Sequence, residues 1–235
     1  MRLTARGVGV DGPHGTLLEP TDVDVARGDA VLVAGMPGTG HTALALALGG
    51  RMAPHRGRVL VDGADDPAAL RRRVAVVDTP GVSEPEPALT LGTVVGEELA
   101  MAGRRAWRRQ VADWLGQRAA GEWSGRRFED VPADVRIDLM LALAATRPAV
   151  DVVVLTGPDR HGGSPHTWWR MARNCASTGY AVVVTCADTS AAVLDVPCFR
   201  IGAGTAEGGP GHDGIAEAPA GGDGPDDEST VGGRS

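Results

Sequence analysis

The residues with the clearest capacity for chemistry form the run VLVAGMPGTGHT at 31–42. Within it Gly35, Met36, Pro37, Gly38, Thr39, Gly40, His41 and Thr42 have the spacing of the phosphate-holding pattern G-x-x-x-x-G-K-[ST], with His41 where the lysine belongs. Glycines at 35, 38 and 40 free the backbone to turn successive N–H groups toward an anion. The Thr42 hydroxyl is the candidate ligand for a metal accompanying that anion. A lysine would bring a full charge to the terminal phosphates, whereas a free histidine is mostly neutral near pH 7 and has a shorter reach. The pattern reads as a phosphate cradle without its cation.

A cradle of this kind needs a strand to deliver it and a helix to back it. The apolar run at 31–34 predicts a buried strand, and TALALAL up to Leu48, closed by Gly49 and Gly50, predicts a helix whose positive N-terminus stands behind the loop. Apolar runs at 74–77, 152–155 and 181–185 predict three more buried strands, all four sharing one mostly parallel sheet. Before the cradle, Leu17, Leu18, Val23 and Val25, set between glycine and proline punctuation, predict antiparallel strands. RVLVDG at 58–63 predicts a short strand ending in a turn. Residues 104–118 predict a helix with Trp107, Val111, Trp114 and Leu115 on one apolar face. These tryptophans, with Trp168 and Trp169, are expected to pack in the core or between lobes.

Composition narrows the function classes. The chain has 235 residues, enough for one sizeable α/β domain, and all 23 basic residues are arginine. A lysine displaced from the cradle to another position is thereby excluded. Residues 202–235 hold seven acids against Arg234, so six units of the net charge of −7 fall there. The balanced body offers no basic face for nucleic acid. Cys175, Cys186 and Cys198 have neither disulfide-framework nor zinc spacing and read as small core residues. No apolar run has the length of a membrane span, and the N-terminus lacks a signal-peptide core, so a cytoplasmic protein without direct membrane insertion is expected. The Gly/Pro/acid-rich segment from 202 onward is expected to be disordered.

The succession ARGDAVLVAG, GTGHTALALALGG, RGRVLVDG, LRRRVAVV and LTLGTVVGEELAMAG resembles the ATP-binding subunits of ABC transporters over residues 1–201. The resemblance implies an α/β P-loop NTPase fold: a mostly parallel central sheet, an N-terminal antiparallel β lobe and an inserted helical lobe at about 84–130. It implies ATP and magnesium as ligands, a membrane permease or a second ABC-type ATPase subunit as partners, and a dimer, peripheral on the inner face of the cell membrane through the permease.

The catalytic positions of that family are changed here. Asp78 stands for the metal-contacting glutamine, and Val131, Pro132, Ala133, Asp134 and Val135 for the signature that binds the opposite subunit's nucleotide. Thr156 and Gly157 replace the strand-end aspartate and glutamate, with Asp159 three positions after Thr156. Ala187 replaces the switch histidine, leaving only Asp188 of that motif. Near the place of the adenine-stacking aromatic stand Gly12, Pro13 and His14. The resemblance thus implies a degenerate ATPase, weakly active or inactive, with weak or absent binding of ATP and magnesium, acting as a permease-associated or regulatory subunit. A free-standing nucleotide or phosphate sensor and a transport ATPase running on an unusual site are the other readings these residues leave open.

Overall fold

The computed structural model describes residues 1–204. Two sheets form. Strands β1 (Arg2–Gly12), β2 (Gly15–Ala26) and β4 (Arg56–Val61) make an antiparallel sheet in the order β2-β1-β4. Strands β3 (Ala30–Gly35), β5 (Val74–Val77), β6 (Val152–Thr156), β7 (Ala181–Ala187) and β8 (Cys198–Arg200) make a wholly parallel sheet in the order β5-β6-β7-β3-β8. The four apolar runs expected to share one sheet do so. Such a sheet, buried on both faces, accounts for their unbroken Val/Leu/Ala composition.

Side-chain alternation along these strands divides the core in two. Val33, Val76, Val152, Val154, Ala181 and Val183 face β1, β2, β4 and helix α1 (His41–Leu48). Leu32, Val77, Val153, Leu155, Val182 and Val184 face helices α5 (Ala133–Ala144) and α6 (Pro165–Ser177), and that packing is continuous with helices α3 (Leu91–Met101) and α4 (Arg108–Gly116). The helical insertion between β5 and α5 is closed at its base by backbone bonds from Leu91 to Arg126, Gly92 to Ser124 and Phe128 to Leu89. A Cβ at Gly92 would crowd the Ser124 hydroxyl at 2.8 Å and its carbonyl at 3.1 Å.

Local chemistry sets the helix starts. Thr90 accepts from the Thr93 amide ahead of α3, and Asp66 accepts from Ala69 ahead of helix α2 (Pro67–Arg73), which carries proline in its first turn. The helix expected over 104–118 is shorter. Trp107 has extended φ/ψ at the N-cap of α4 and is 76% exposed, so it leaves the expected apolar face, while Val111 and Leu115 are buried and Trp114 packs against the core. Trp168 is buried and Trp169 partly so. Of the three cysteines only Cys186 is fully enclosed; Cys175 and Cys198 are half-buried. After β8 the chain returns to the β lobe, the Gly202 amide donating to the Thr21 hydroxyl and Gly204 to the Pro20 carbonyl. The segment expected to be disordered lies, from 205 onward, outside the described residues. None of the described helices is long and apolar enough to cross a membrane.

Candidate phosphate-binding cleft

The ends of β3, β5, β6 and β7 open on one side of the parallel sheet, where open α/β sheets hold ligands. A cleft of about 540 Å³ lies there, lined by Gly38, His41, Thr42, Thr156, Arg160 and Ala187 among others. The cradle forms as its spacing requires. β3 ends at Gly35, Thr39 closes the loop by bonding Met36 through both amide and hydroxyl, and Gly40 enters α1 at φ 112°. A Cβ at Gly40 would run into the Leu17 carbonyl, so only glycine satisfies both the angle and the space. Gly38, at φ 85°, faces open space. The first amides of α1 have no carbonyl partner within the helix, and a helix start of this kind favours an anion. Pro37 contributes no donor.

His41 is positioned by an interaction that sequence reasoning missed. Its Nε2 lies 3.0 Å from the Cys186 carbonyl oxygen, and because a carbonyl only accepts, Nε2 carries the proton. The ring thus ties the start of α1 to the end of β7, beside Ala187. Nothing in the local sequence signals this, because strand order alone makes β7 the neighbour of β3.

The strand-end carboxylate positions hold neutral groups. Thr156, buried, lies 2.7 Å from Thr79 across the ends of β6 and β5, hydroxyl to hydroxyl. Gly157 takes a left-handed conformation (φ 56°, ψ 53°), and its amide donates to both the carbonyl and the hydroxyl of Thr185. Asp159 caps helix α7 (Asp188–Leu194): one of its oxygens accepts from the Ala187 amide and the Ser190 hydroxyl, each at 2.8 Å.

Asp78 is enclosed by Arg160 and His161. It is 3% exposed at φ 56°, a region aspartate tolerates better than most residues. Arg160 Nη2 approaches one of its oxygens at 2.8 Å and His161 Nε2 the other at 2.8 Å. The same Nη2 reaches Glu84 at 3.2 Å, while Nη1 donates to the Thr156 and Gly157 carbonyls. Asp78, Glu84 and His161 bring three ligand atoms within 4.8 Å of one another, but a guanidinium bound to both carboxylates fills the place of a cation. The Arg160-His161 pair directly after Asp159 was the available sequence signal for this cluster.

The cleft suits a phosphate and does not suit magnesium. The glycine loop and the helix N-terminus supply backbone donors, whereas for a metal there is the Thr42 hydroxyl, one carboxylate already committed as a helix cap, and a guanidinium nearby. Where the signature is expected, Pro132 and Asp134 are exposed at the start of α5. Gly12 ends β1, half-buried, and Pro13 and His14 form the exposed hairpin turn to β2.

No family model matches the sequence. A phosphate import ATP-binding protein, PstB 2, of Natronomonas pharaonis is 31% identical over 134 residues, a match covering 51% of this chain and 45% of that protein. The match therefore spans less than half the length of that relative. Among solved structures, a nucleotide-free ATP-binding cassette from an ABC transporter aligns with TM-score 0.59 at 17% identity, over 79% of this chain and 81% of that one. An ABC transporter ATP-binding protein from Pyrococcus furiosus aligns with TM-score 0.58 at 14% identity, over 80% and 92%. With its five-stranded parallel sheet, separate antiparallel sheet, glycine cradle and helical insertion, this chain has the fold of the ATP-binding subunits of ABC transporters.

Proposed function

We propose that the protein is an ABC-type ATP-binding subunit that holds a nucleotide weakly through its cradle and has lost most or all of the ATPase chemistry. It would act as a permease-associated or regulatory subunit, paired with itself or with an active subunit, and be peripheral on the inner membrane face through the permease. The observation carrying this reading is the wall of the 540 Å³ cleft, where Thr156, Gly157 and Ala187 stand at the positions of the family's two carboxylates and switch histidine. Gly35, Met36, Pro37, Gly38, Thr39, Gly40, His41 and Thr42 are the proposed nucleotide contacts.

Hydrolysis by this fold needs charge compensation, a positioned water and closure by a second subunit's signature. His41 is bonded to a carbonyl, Thr156 to a neutral hydroxyl, and the start of α5 presents Pro132 and Asp134. Members of one catalytic constellation act as a unit, so losses at several positions leave little rate to recover singly. A partner with intact motifs would still form two damaged composite sites with this subunit.

The test is phosphate release by the purified protein, alone and mixed with an ABC-type ATPase subunit whose motifs are intact, together with equilibrium ATP binding. Binding without turnover supports the proposal. Turnover at rates typical of transport ATPases overturns it.

A further inference from the structure

Helix α1 has two ends, and the far one carries a second concentration of positive charge. About 12 Å from the cradle, by helix rise, a separate cleft of about 560 Å³ opens between the C-terminus of α1, strand β4 and helix α2. Arg51, Arg58 and Arg71 line it with His55; Asp65 is the acid on its wall. In a chain with an overall excess of acids, this is a local reversal of sign.

Arg51 and Arg71 are held in place by neutral groups. Arg51 Nη1 donates to the Gly49 and Val74 carbonyls at 3.1 and 3.3 Å, and Arg71 Nη1 to the Gly50 carbonyl at 3.0 Å. Carbonyls at a helix end attract cations but carry no full counter-charge. The Arg51 guanidinium is held below its ordinary pKa by desolvation, with the nearby charges of Arg147 and Arg71 adding to the effect. Arg71 thus adds its charge beside Arg51 within the cleft, while Arg147 is paired with Glu98, and Arg2 and Arg56 elsewhere in the β lobe with Asp24 and Asp11. His55 Nδ1 lies 3.3 Å from the Asp11 amide and accepts from it, so a proton on the ring resides on Nε2.

We propose that this cleft is a second anion-binding site, distinct from the cradle, for a phosphorylated small molecule. Guanidinium groups fixed by one nitrogen keep their remaining N–H groups in the planar array that matches phosphate oxygens. The volume exceeds that of one phosphate and lies in the range of small-molecule sites, and Met52, Pro54 and Pro67 give the wall an apolar part for the rest of the ligand.

Pyrophosphate is the probe, titrated calorimetrically into the full chain in low-salt, magnesium-free buffer, with citrate as the carboxylate comparison. Two variants separate the clefts. Arg51→Gln with Arg71→Gln removes the proposed contacts, and Gly38→Asp places a negative charge in the open part of the cradle. We expect pyrophosphate binding to survive Gly38→Asp, to weaken by more than about tenfold in the arginine variant, and to exceed citrate binding. Loss of binding in Gly38→Asp with no change in the arginine variant would assign the anion to the cradle and overturn the proposal, as would equal or tighter citrate binding or no binding at all. Should the double variant lose its native melting transition, Arg71→Gln alone, at an exposed side chain, must still weaken binding severalfold, and no change there also overturns it. ATP binding at the cradle is read from Gly38→Asp in a parallel titration, so failure of the nucleotide reading leaves this result standing.

Discussion

His41 and Cys186, 145 residues apart in sequence, are joined by a 3.0 Å hydrogen bond from ring nitrogen to backbone carbonyl. The side chain at the lysine position is therefore a strut between α1 and β7. His41→Lys would restore charge reach but break the strut, and Thr156, Gly157 and Ala187 would be unchanged. We expect no ATPase activity above the wild-type level from this single substitution. Phosphate release that rises more than about tenfold in the variant would show that metal and water are already held by another group.

Magnesium should matter little to binding. With Thr42 and a committed Asp159 as the available oxygens and Arg160 already present as a cation, ATP affinity measured with magnesium and with chelator should agree within about threefold. Lacking one charge-assisted contact, worth roughly 1.5–3 kcal/mol, the cradle should bind ATP no tighter than about the high micromolar range. Calorimetry that returns a submicromolar constant, or one strictly dependent on magnesium, contradicts both expectations.

The Thr79–Thr156 pair should behave as a unit. Thr156→Val leaves the buried Thr79 hydroxyl without its partner, at a penalty of about 1–3 kcal/mol, while Thr79→Val with Thr156→Val should recover a large part of it. Denaturant unfolding of the two single variants and the double closes the cycle, and strict additivity would rule out the coupling. Thr156→Asp with Gly157→Glu should also fail to give turnover. It places one carboxylate in a buried hydroxyl pocket and the other on a left-handed backbone.

Much of the framework was legible in the sequence because buried parallel strands leave unbroken apolar runs and a glycine cradle leaves fixed spacing. Val74–Val77 and Val152–Thr156 could hardly be anything else in a chain of this length. What was not legible depends on strand order or on a single backbone angle. His41 meets Cys186 only because β7 lies beside β3, and Asp78 meets Arg160 and His161 only because β5 lies beside β6. Trp107 shows the second limit. Its spacing fits the face of α4, but extended φ/ψ at that residue starts the helix one position later and turns the ring to solvent.

The tryptophans supply a direct comparison. Trp168 is 1% exposed within the core around α5 and α6, so Trp168→Ala should destabilise by about 3–5 kcal/mol. Trp107→Ala should stay within about 0.5 kcal/mol of wild type. Thermal or denaturant unfolding of both distinguishes them, and a large loss at Trp107 would mean that the ring has a packing partner.

Burial also sets the alkaline limit. Desolvation raises the Cys175 thiol from 9.0 to about 11 and, with Asp159 and other nearby charges contributing, the Cys186 thiol to about 12. Both pKa values are higher in the folded state, so their stabilising contribution is complete below about pH 9 and is lost as pH rises through 11 to 12. Native protein at pH 8 should leave both thiols unmodified by iodoacetamide, and mass spectrometry after digestion would reveal any labelling. Rapid labelling of Cys186 without unfolding would contradict its burial.

The left-handed turn at Gly157 bears on how such a subunit could change over generations. On a regular strand end, one nucleotide change can exchange a side chain and leave its direction intact. At Gly157 the backbone itself is left-handed, and its amide is tied to Thr185, so a glutamate arising there would project along a different line from one on an extended strand. A carboxylate directed into the cleft from this position would require the Gly157 backbone and the Arg160 contacts with Thr156 and Asp78 to change together. On the function proposed above, the turn would work as a ratchet against acquiring that carboxylate.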